Sequence, residues 1–291
     1  MNAADRVLAR FVGQVDAEAL GAHGVHVLVG DEEAQHRWLP EVRADVRSVS
    51  KGVCALAVGI AVDAGLVELG TTVPELLPDE ARGRGADRVT LRHLLTMTSG
   101  IDFEWFAGDA APWPDLAVEM LSRPKRAPDS VFQYSDASTY LAMRMLGAVV
   151  GDVRDWLQPR LFSPLGIEEP VWQRCAAGWI VGGSGLELRT GELARIGRLL
   201  LDRGAWRGDR LVEADWIDLL HGAWTTTGGP QPFTRYGLGV WDGPGRTWRL
   251  DGWGGQYVIV DEEKHAVVTI TAHEEQRDHR LAEIAANTLR G

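Results

Sequence analysis

Lys51, Lys125 and Lys264 are the only lysines among the 30 Lys and Arg residues of this chain, so almost every cation is Arg. Arg keeps its proton inside a protein, whereas a Lys that is desolvated or set beside other cations can lose it. Lys51 closes the stretch Ser48-Val49-Ser50-Lys51. Residues at i and i+3 of a helix share a face and touch. A Lys one turn after a Ser is therefore a candidate acceptor for the hydroxyl proton, which would leave the oxygen nucleophilic. The residues from Gly52 to Val62 are small and apolar, and Asp63-Ala64-Gly65 closes them. They read as a buried central helix with Ser48 at its N-terminus, where free N–H groups and the helix dipole favour developing negative charge. A lone Ser and Lys at this spacing is more simply a cap and a solvated cation. Ser122-Arg123-Pro124-Lys125 repeats the spacing without the context, since Pro124 would break a helix carrying both residues and no apolar run follows.

Few other residues offer chemistry to that pair. Of four tyrosines, Tyr134 lies in Phe132-Gln133-Tyr134-Ser135-Asp136, just before a helix that Ser135 or Asp136 can cap. A phenol beside an ammonium can take or relay a proton, and it can equally be a half-buried core side chain. Asp251-Gly252-Trp253-Gly254-Gly255-Gln256 separates two expected strands, and its glycines suit a close approach to a ligand or a bulged turn. The loop from Asp102 to Trp113 carries four aromatic residues, enough for a groove wall, with Trp105 taken as a ring that contacts substrate. The eight His show no metal-binding spacing, no glycine-rich phosphate loop precedes a helix, and no cofactor is expected.

The elements that must position these residues follow from periodicity. Val7, Leu8, Phe11, Val12 and Val15 fall at helical spacing, and Gly24 to Val29 reads as a buried strand with a weaker partner after Gly30-Asp31. Helices are expected over Leu91–Met97, Leu116–Leu121, Ser138–Val150, Val153–Leu161, Glu192–Asp202, Asp215–His221 and Leu281–Leu289. Turn signals stand at Ser99-Gly100, Pro112 to Pro114 and Pro164-Leu165-Gly166. Strands are expected over Tyr236–Trp241, Thr247–Leu250, Tyr257–Val260 and Val267–Thr271, the last two joined as a hairpin. The fold class is α/β (α+β): one antiparallel sheet from the two ends of the chain, 1–68 and 180–291, flanked by helices, with a mainly helical region, 69–179, inserted. A groove belongs where the two parts meet.

Composition limits what such a groove serves. With 291 residues, 45% of them hydrophobic and 12 Trp, the chain has ample material for a core. Its net charge of −11, with no basic stripe, disfavours nucleic acid and anionic membranes as partners. Cys54 and Cys175 make no disulfide framework. The first ten residues hold an acid and two Arg with no apolar signal core, and the longest apolar run is too short to span a bilayer, so a cytoplasmic location is expected.

Taken together, the motifs resemble the serine β-lactamase and penicillin-binding-protein-like superfamily, and within it the class C β-lactamase-related serine hydrolases and esterases. Ser48-Val49-Ser50-Lys51 is similar to the first motif, Tyr134-Ser135-Asp136 to the Tyr-x-Asn motif, and the stretch from Leu91 to Ile101 to a characteristic family segment. Gly182-Gly183-Ser184-Gly185, Gly191 to Leu201, Tyr236-Gly237-Leu238-Gly239 and Gly252 to Gln256 fit in the same order. The resemblance implies a β-lactamase/transpeptidase-like fold and a covalent acyl-enzyme on Ser48. Lys51 and Tyr134 would share the acid and base roles, and Asp136, Asp251, Gly252, Trp253 and Trp105 would border the substrate. The oxyanion hole would combine the Ser48 N–H with one near Trp253.

Two departures shape the expected substrate. Asp136 replaces the Asn of the second motif, and Leu250-Asp251-Gly252 replaces a third motif that usually begins with Lys or His. No cation stands where relatives meet a substrate carboxylate, which points to small ester, amide or peptide-like substrates ahead of β-lactams. Two acids at the groove would favour cations, the alternatives being that Asp136 neutralises Lys51 or caps its helix and that Asp251 points away from the groove, and Arg249 is the residue for a carboxylate should one bind. An acyltransferase on the same machinery and an inactive binding module are the alternative readings.

Overall fold

The computed structural model describes residues 1–108 and 113–290. The turn expected at Pro112 and part of the loop before Trp113 lie outside the described residues. An eight-stranded antiparallel sheet forms the middle of the molecule. Its strands run in the order Glu32–Arg37, Ala22–Val29, Ala266–Ala272, Gln256–Asp261, Trp248–Gly252, Trp241–Asp242, Arg235–Tyr236 and Thr225–Thr226. The register pairs Val27 with Val268 and Tyr257 with Ile270.

Gln256–Asp261 and Ala266–Ala272 are buried at every position, since helices cover both faces. Alternate side chains therefore serve two cores. On one face Val25, Val27, Ile259, Val268 and Ile270 pack with Phe11 and Val15 of the Ala3–Glu18 helix and Leu281 and Ile284 of the Asp278–Arg290 helix. On the other, Leu28, Leu250, Val258, Val260 and Val267 join the larger core that holds the Ser50–Asp63 and Thr190–Leu201 helices. That core continues into the helical segments Val73–Leu76, Leu91–Leu95, Leu116–Ser122 and Asp136–Val150.

The Ser50–Asp63 helix shows why its sequence is small and apolar all round. Every residue from Ser50 to Ala61 is buried. A Cβ on Gly52 would lie 2.3 Å from a methyl of Leu250, and one on Gly59 would lie 2.4 Å from the Trp216 indole. The same indole donates to Ala55 O at 3.1 Å. Sheet and neighbouring helix thus approach to distances that admit only glycine, which fixes where Ser48 and Lys51 sit.

Tyr236–Trp241 is not one strand. Two short pieces, Arg235–Tyr236 and Trp241–Asp242, flank a bend. A Cβ on Gly237 would meet Leu220 O at 2.0 Å, and Gly239 (φ +78°) would meet Lys51 O at 2.8 Å, so the chain turns aside to pass close to the central helix. The expected helix over Val153–Leu161 changes to a π-turn at Gln158–Phe162, where Pro159 supplies no N–H. Among the described residues no helix is long and apolar enough to cross a membrane.

Candidate active site

Ser48, expected at the N-terminus of the central α-helix, lies in a short 3₁₀ turn, Arg47–Val49, that runs into that helix at Ser50–Asp63. In a 3₁₀ turn the i and i+3 side chains eclipse. Lys51 Nζ accordingly reaches Ser48 Oγ at 2.8 Å. Arg47, just before, holds φ +54°, an unfavourable conformation for a side chain with a Cβ. Asp45 over-determines it: Oδ1 accepts the N–H of Arg47 at 2.7 Å and of Gly185 at 2.8 Å, while Oδ2 pairs with the Arg47 guanidinium at 3.1 Å. The bend leaves Ser48 half-buried at the edge of a groove.

Lys51 is almost fully enclosed, with 1% of its side chain exposed. Its Nζ has three acceptors: Ser48 Oγ, Asp136 Oδ1 at 2.5 Å and Gly183 O at 2.9 Å. The ammonium also lies 4.6 Å from the centre of the Tyr134 ring. Burial opposes the charge, but Tyr134 and Asp136 outweigh it and hold the amine above the ordinary lysine range. The expectation of a readily removed proton on Lys51 changes here, because the Asn of the resemblance is a carboxylate in this chain. Lys51 rests as a cation.

Asp136 is correspondingly occupied. It opens the Asp136–Val150 helix, which Ser135 caps through Ala137 N. Its Oδ1 holds Lys51, and its Oδ2 accepts from Ala107 N at 3.0 Å and Ser184 Oγ at 3.3 Å. A role in greeting substrate gives way to one in holding the site together. Gly183 makes this contact feasible, since a Cβ there would fall 2.6 Å from Asp136 Cγ.

The groove has a volume of about 750 Å³ and is bordered by Ser48, Tyr134, Asp136, Asp251 and Trp253, all named by the sequence. Gly252 presses against the turn before Ser48, where a Cβ would meet Val46 O at 2.6 Å, and Trp253 stands half exposed near Arg47. Asp251 faces the groove and Leu250 faces Gly52, as strand alternation requires. Arg249 shares the Asp251 side and donates to its Oδ2 at 2.7 Å. It also donates to the carbonyls of Asp242 and Gly243 and is 1% exposed, so it is not free for a substrate carboxylate.

Trp105 is a correction. Burial alternates from Ile101 to Phe106, with Ile101, Phe103 and Trp105 inward and Asp102, Glu104 and Phe106 outward. Trp105 is 5% exposed and belongs to the core, while Phe106 lines the groove. Its backbone still serves the site, exchanging hydrogen bonds with Ser135 and accepting the Asp136 N–H.

Several groove residues carried no chemical signal in the sequence: Phe233, Trp241, Ser184 and Asp278. Ser184 and Gly183 lie in the glycine-rich stretch noted for its resemblance, whereas Asp278 is an acid at the start of a helix like many others. The decoy residues bond to other groups, not to each other. Ser122 is exposed and donates to Val118 O, while Lys125 Nζ bonds the carbonyls of Leu121 and Arg123.

A model of the beta-lactamase family matches residues 8–290. The 6-aminohexanoate-dimer hydrolase of Paenarthrobacter ureafaciens is 25% identical over 207 residues, 62% of this chain and 51% of that protein. The chain thus spans about half the length of this curated relative. Among solved structures, a penicillin-binding protein homolog from Caulobacter crescentus superposes with a TM-score of 0.77 at 18% identity, covering 99% of this chain and 98% of the other. A family VIII carboxylesterase gives a TM-score of 0.77 at 16% identity, with 99% and 98% covered.

Proposed function

The chain belongs to the beta-lactamase family, and we propose that it is a serine hydrolase acting on esters or amides through an acyl-enzyme on Ser48. One observation carries the reading: a half-buried Ser hydroxyl within 2.8 Å of a buried, ion-paired ammonium, at the edge of a groove large enough for a small substrate. The 1% exposure of Lys51 makes its charge strong, because little water screens it.

In this mechanism Ser48 Oγ attacks the acyl carbonyl while its proton passes to the Tyr134 oxygen. The Lys51 ammonium, already donating to Oγ, stabilises the alkoxide character that develops. The Ser48 N–H and an amide near Trp253 receive the carbonyl oxygen. On collapse the bond from the acyl carbon to the leaving oxygen or nitrogen breaks, and Tyr134 returns its proton to that atom. Water then attacks the ester, Tyr134 takes one of its protons and Ser48 regains a hydrogen as the acid leaves.

The names of relatives support both substrate classes, one being an amide-type dimer hydrolase and one a carboxylesterase. Leu250 turned into the core and Arg249 fully engaged argue against a substrate carboxylate at the third motif. Activity profiling against a panel of esters, amides and β-lactams tests the reading. Ester or amide turnover lost in Ser48→Ala supports it, and a panel with no Ser48-dependent turnover or adduct overturns it. Transfer of the acyl group to an added amine or alcohol in preference to water would make the protein an acyltransferase.

A further inference from the structure

The Asp251 and Asp278 border of the groove carries acids that the hydrolytic chemistry does not use. The cations beside the groove's residues are matched: Lys51 pairs with Asp136, Arg47 with Asp45, and Arg249 with one oxygen of Asp251. The other oxygen of Asp251, Oδ1, has no donor among the described residues, although the side chain is only 9% exposed and borders the groove. Asp278 borders it too. Among the described residues its oxygens accept only the backbone N–H of Gly254 at 3.1 Å and of His279 at 2.7 Å, with the His279 ring nitrogen 3.9 Å away. Burial holds the Asp251 carboxyl above its ordinary range against the pull of Arg249, and Asp278 adds to the rise. A positive ligand relieves both effects.

The same groove is lined by aromatic side chains. Phe233 and Trp241 meet with ring centres 4.9 Å apart, Tyr134 and Trp241 with centres 5.4 Å apart, and Trp253 stands half exposed at the mouth. Such walls hold an alkyl stem; Lys51 already stands over Tyr134, Arg249 over Phe233 and Arg47 over Trp253, which leaves Trp241 as the wall ring with no cation over it among the described residues. Among the described residues no three His, Cys, Asp or Glu side chains are grouped to bind a metal ion.

We propose that the Asp251–Asp278 border of the groove is an ammonium subsite, and that the preferred substrate is an ester or amide carrying a primary amine on an apolar stem. This rests on the hydrolase reading above and names its substrate class. The subsite differs from the acidic groove anticipated from sequence, since Asp136 is spent on Lys51 and Asp278 takes its place.

Two series of aryl and alkyl esters, with the charge carried in the acyl chain or on the leaving alcohol, test it. Each series compares an ammonium, a neutral isostere and a carboxylate. The ammonium ester should have the highest kcat/KM in at least one series, by about five- to tenfold over the neutral ester. That ratio should shrink with added salt and fall toward one in Asp278→Asn, which leaves the buried Arg249–Asp251 pair intact. Binding of n-hexylammonium, followed by Trp fluorescence and compared with hexan-1-ol, reads the same subsite without turnover. Neutral or carboxylate esters favoured in both series, with Ser48 still acylated, would overturn the subsite and leave the hydrolase reading standing. If no ester is turned over and Ser48 takes no probe, the hydrolase reading fails. The fluorescence titration then decides the subsite, and hexylammonium binding no tighter than hexan-1-ol overturns it.

Discussion

Lys51 and Asp136 form a buried ion pair, with Nζ 2.5 Å from Oδ1 and side-chain exposures of 1% and 4%. The same ammonium donates to Ser48 Oγ. A carboxylate in the second motif therefore sets the charge of the group beside the nucleophile, and each expectation below follows from that arrangement.

The first concerns proton transfer. Tyr134→Phe removes the proposed base and should slow Ser48 acylation by about 10²-fold or more. Lys51→Arg keeps a positive charge but forces a larger, planar cation into an enclosed site whose three acceptors suit an ammonium. It should lose a comparable factor in stopped-flow acylation. Near-normal rates in both variants would remove Lys51 and Tyr134 from the chemistry.

The second concerns pH. Lys51 has a folded-state pKa above its ordinary value. Its ammonium, and the stability and rate that depend on it, should therefore persist below the unfolded value of about 10.4 and be lost only as pH rises through the higher folded value. Asp136→Asn removes a carboxylate that sustains the rise and leaves burial to oppose the charge, so the alkaline loss of acylation should move to lower pH. An unmoved pH–rate profile in Asp136→Asn would show that Asp136 does not hold Lys51 charged.

Stability gives a third expectation. Asp136→Ala strands a buried ammonium and should cost about 3–5 kcal/mol in urea unfolding. The double variant Lys51→Met/Asp136→Leu removes both charges and should recover most of that loss while remaining inactive. A loss of under about 1 kcal/mol in Asp136→Ala would mean that water or another group replaces the carboxylate.

Gly183→Ala is the fourth. Its Cβ would fall 2.6 Å from Asp136 Cγ, so either the carboxylate or the Gly183 carbonyl that accepts from Lys51 must move. Overpacking of this kind costs about 1–3 kcal/mol. Acylation should fall at least tenfold, whereas Gly191→Ala, whose Cβ meets nothing nearer than 3.2 Å, should leave the rate close to wild type. Equal rates in Gly183→Ala and wild type would show that the site tolerates displacement of Lys51's partners.

Much of this was legible in the sequence because local chemistry and periodicity pointed the same way. The apolar run after Ser48, the Pro in the decoy and the strands at both ends of the chain each had a physical reading, and the sheet and central helix follow them. Trp105 was misplaced because four aromatic residues in one loop do not announce their faces, and strand-like alternation there gave the groove to Phe106. The ion pair of Lys51 was open in the sequence only as an alternative to an acidic groove. Asp136 is 85 residues away in sequence, and only packing brings a helix start against the central helix. Asp278 is an acid at the start of a helix like many others, and nothing in the sequence places it beside Asp251 at the groove.

The most direct measurement is to label the wild-type protein with a fluorophosphonate and map the adduct by peptide mass spectrometry. One adduct on Ser48 is expected, absent in Ser48→Ala and retained in Ser122→Ala. An adduct on Ser122, Ser184 or any other residue, or undiminished labelling of Ser48→Ala, would contradict the account.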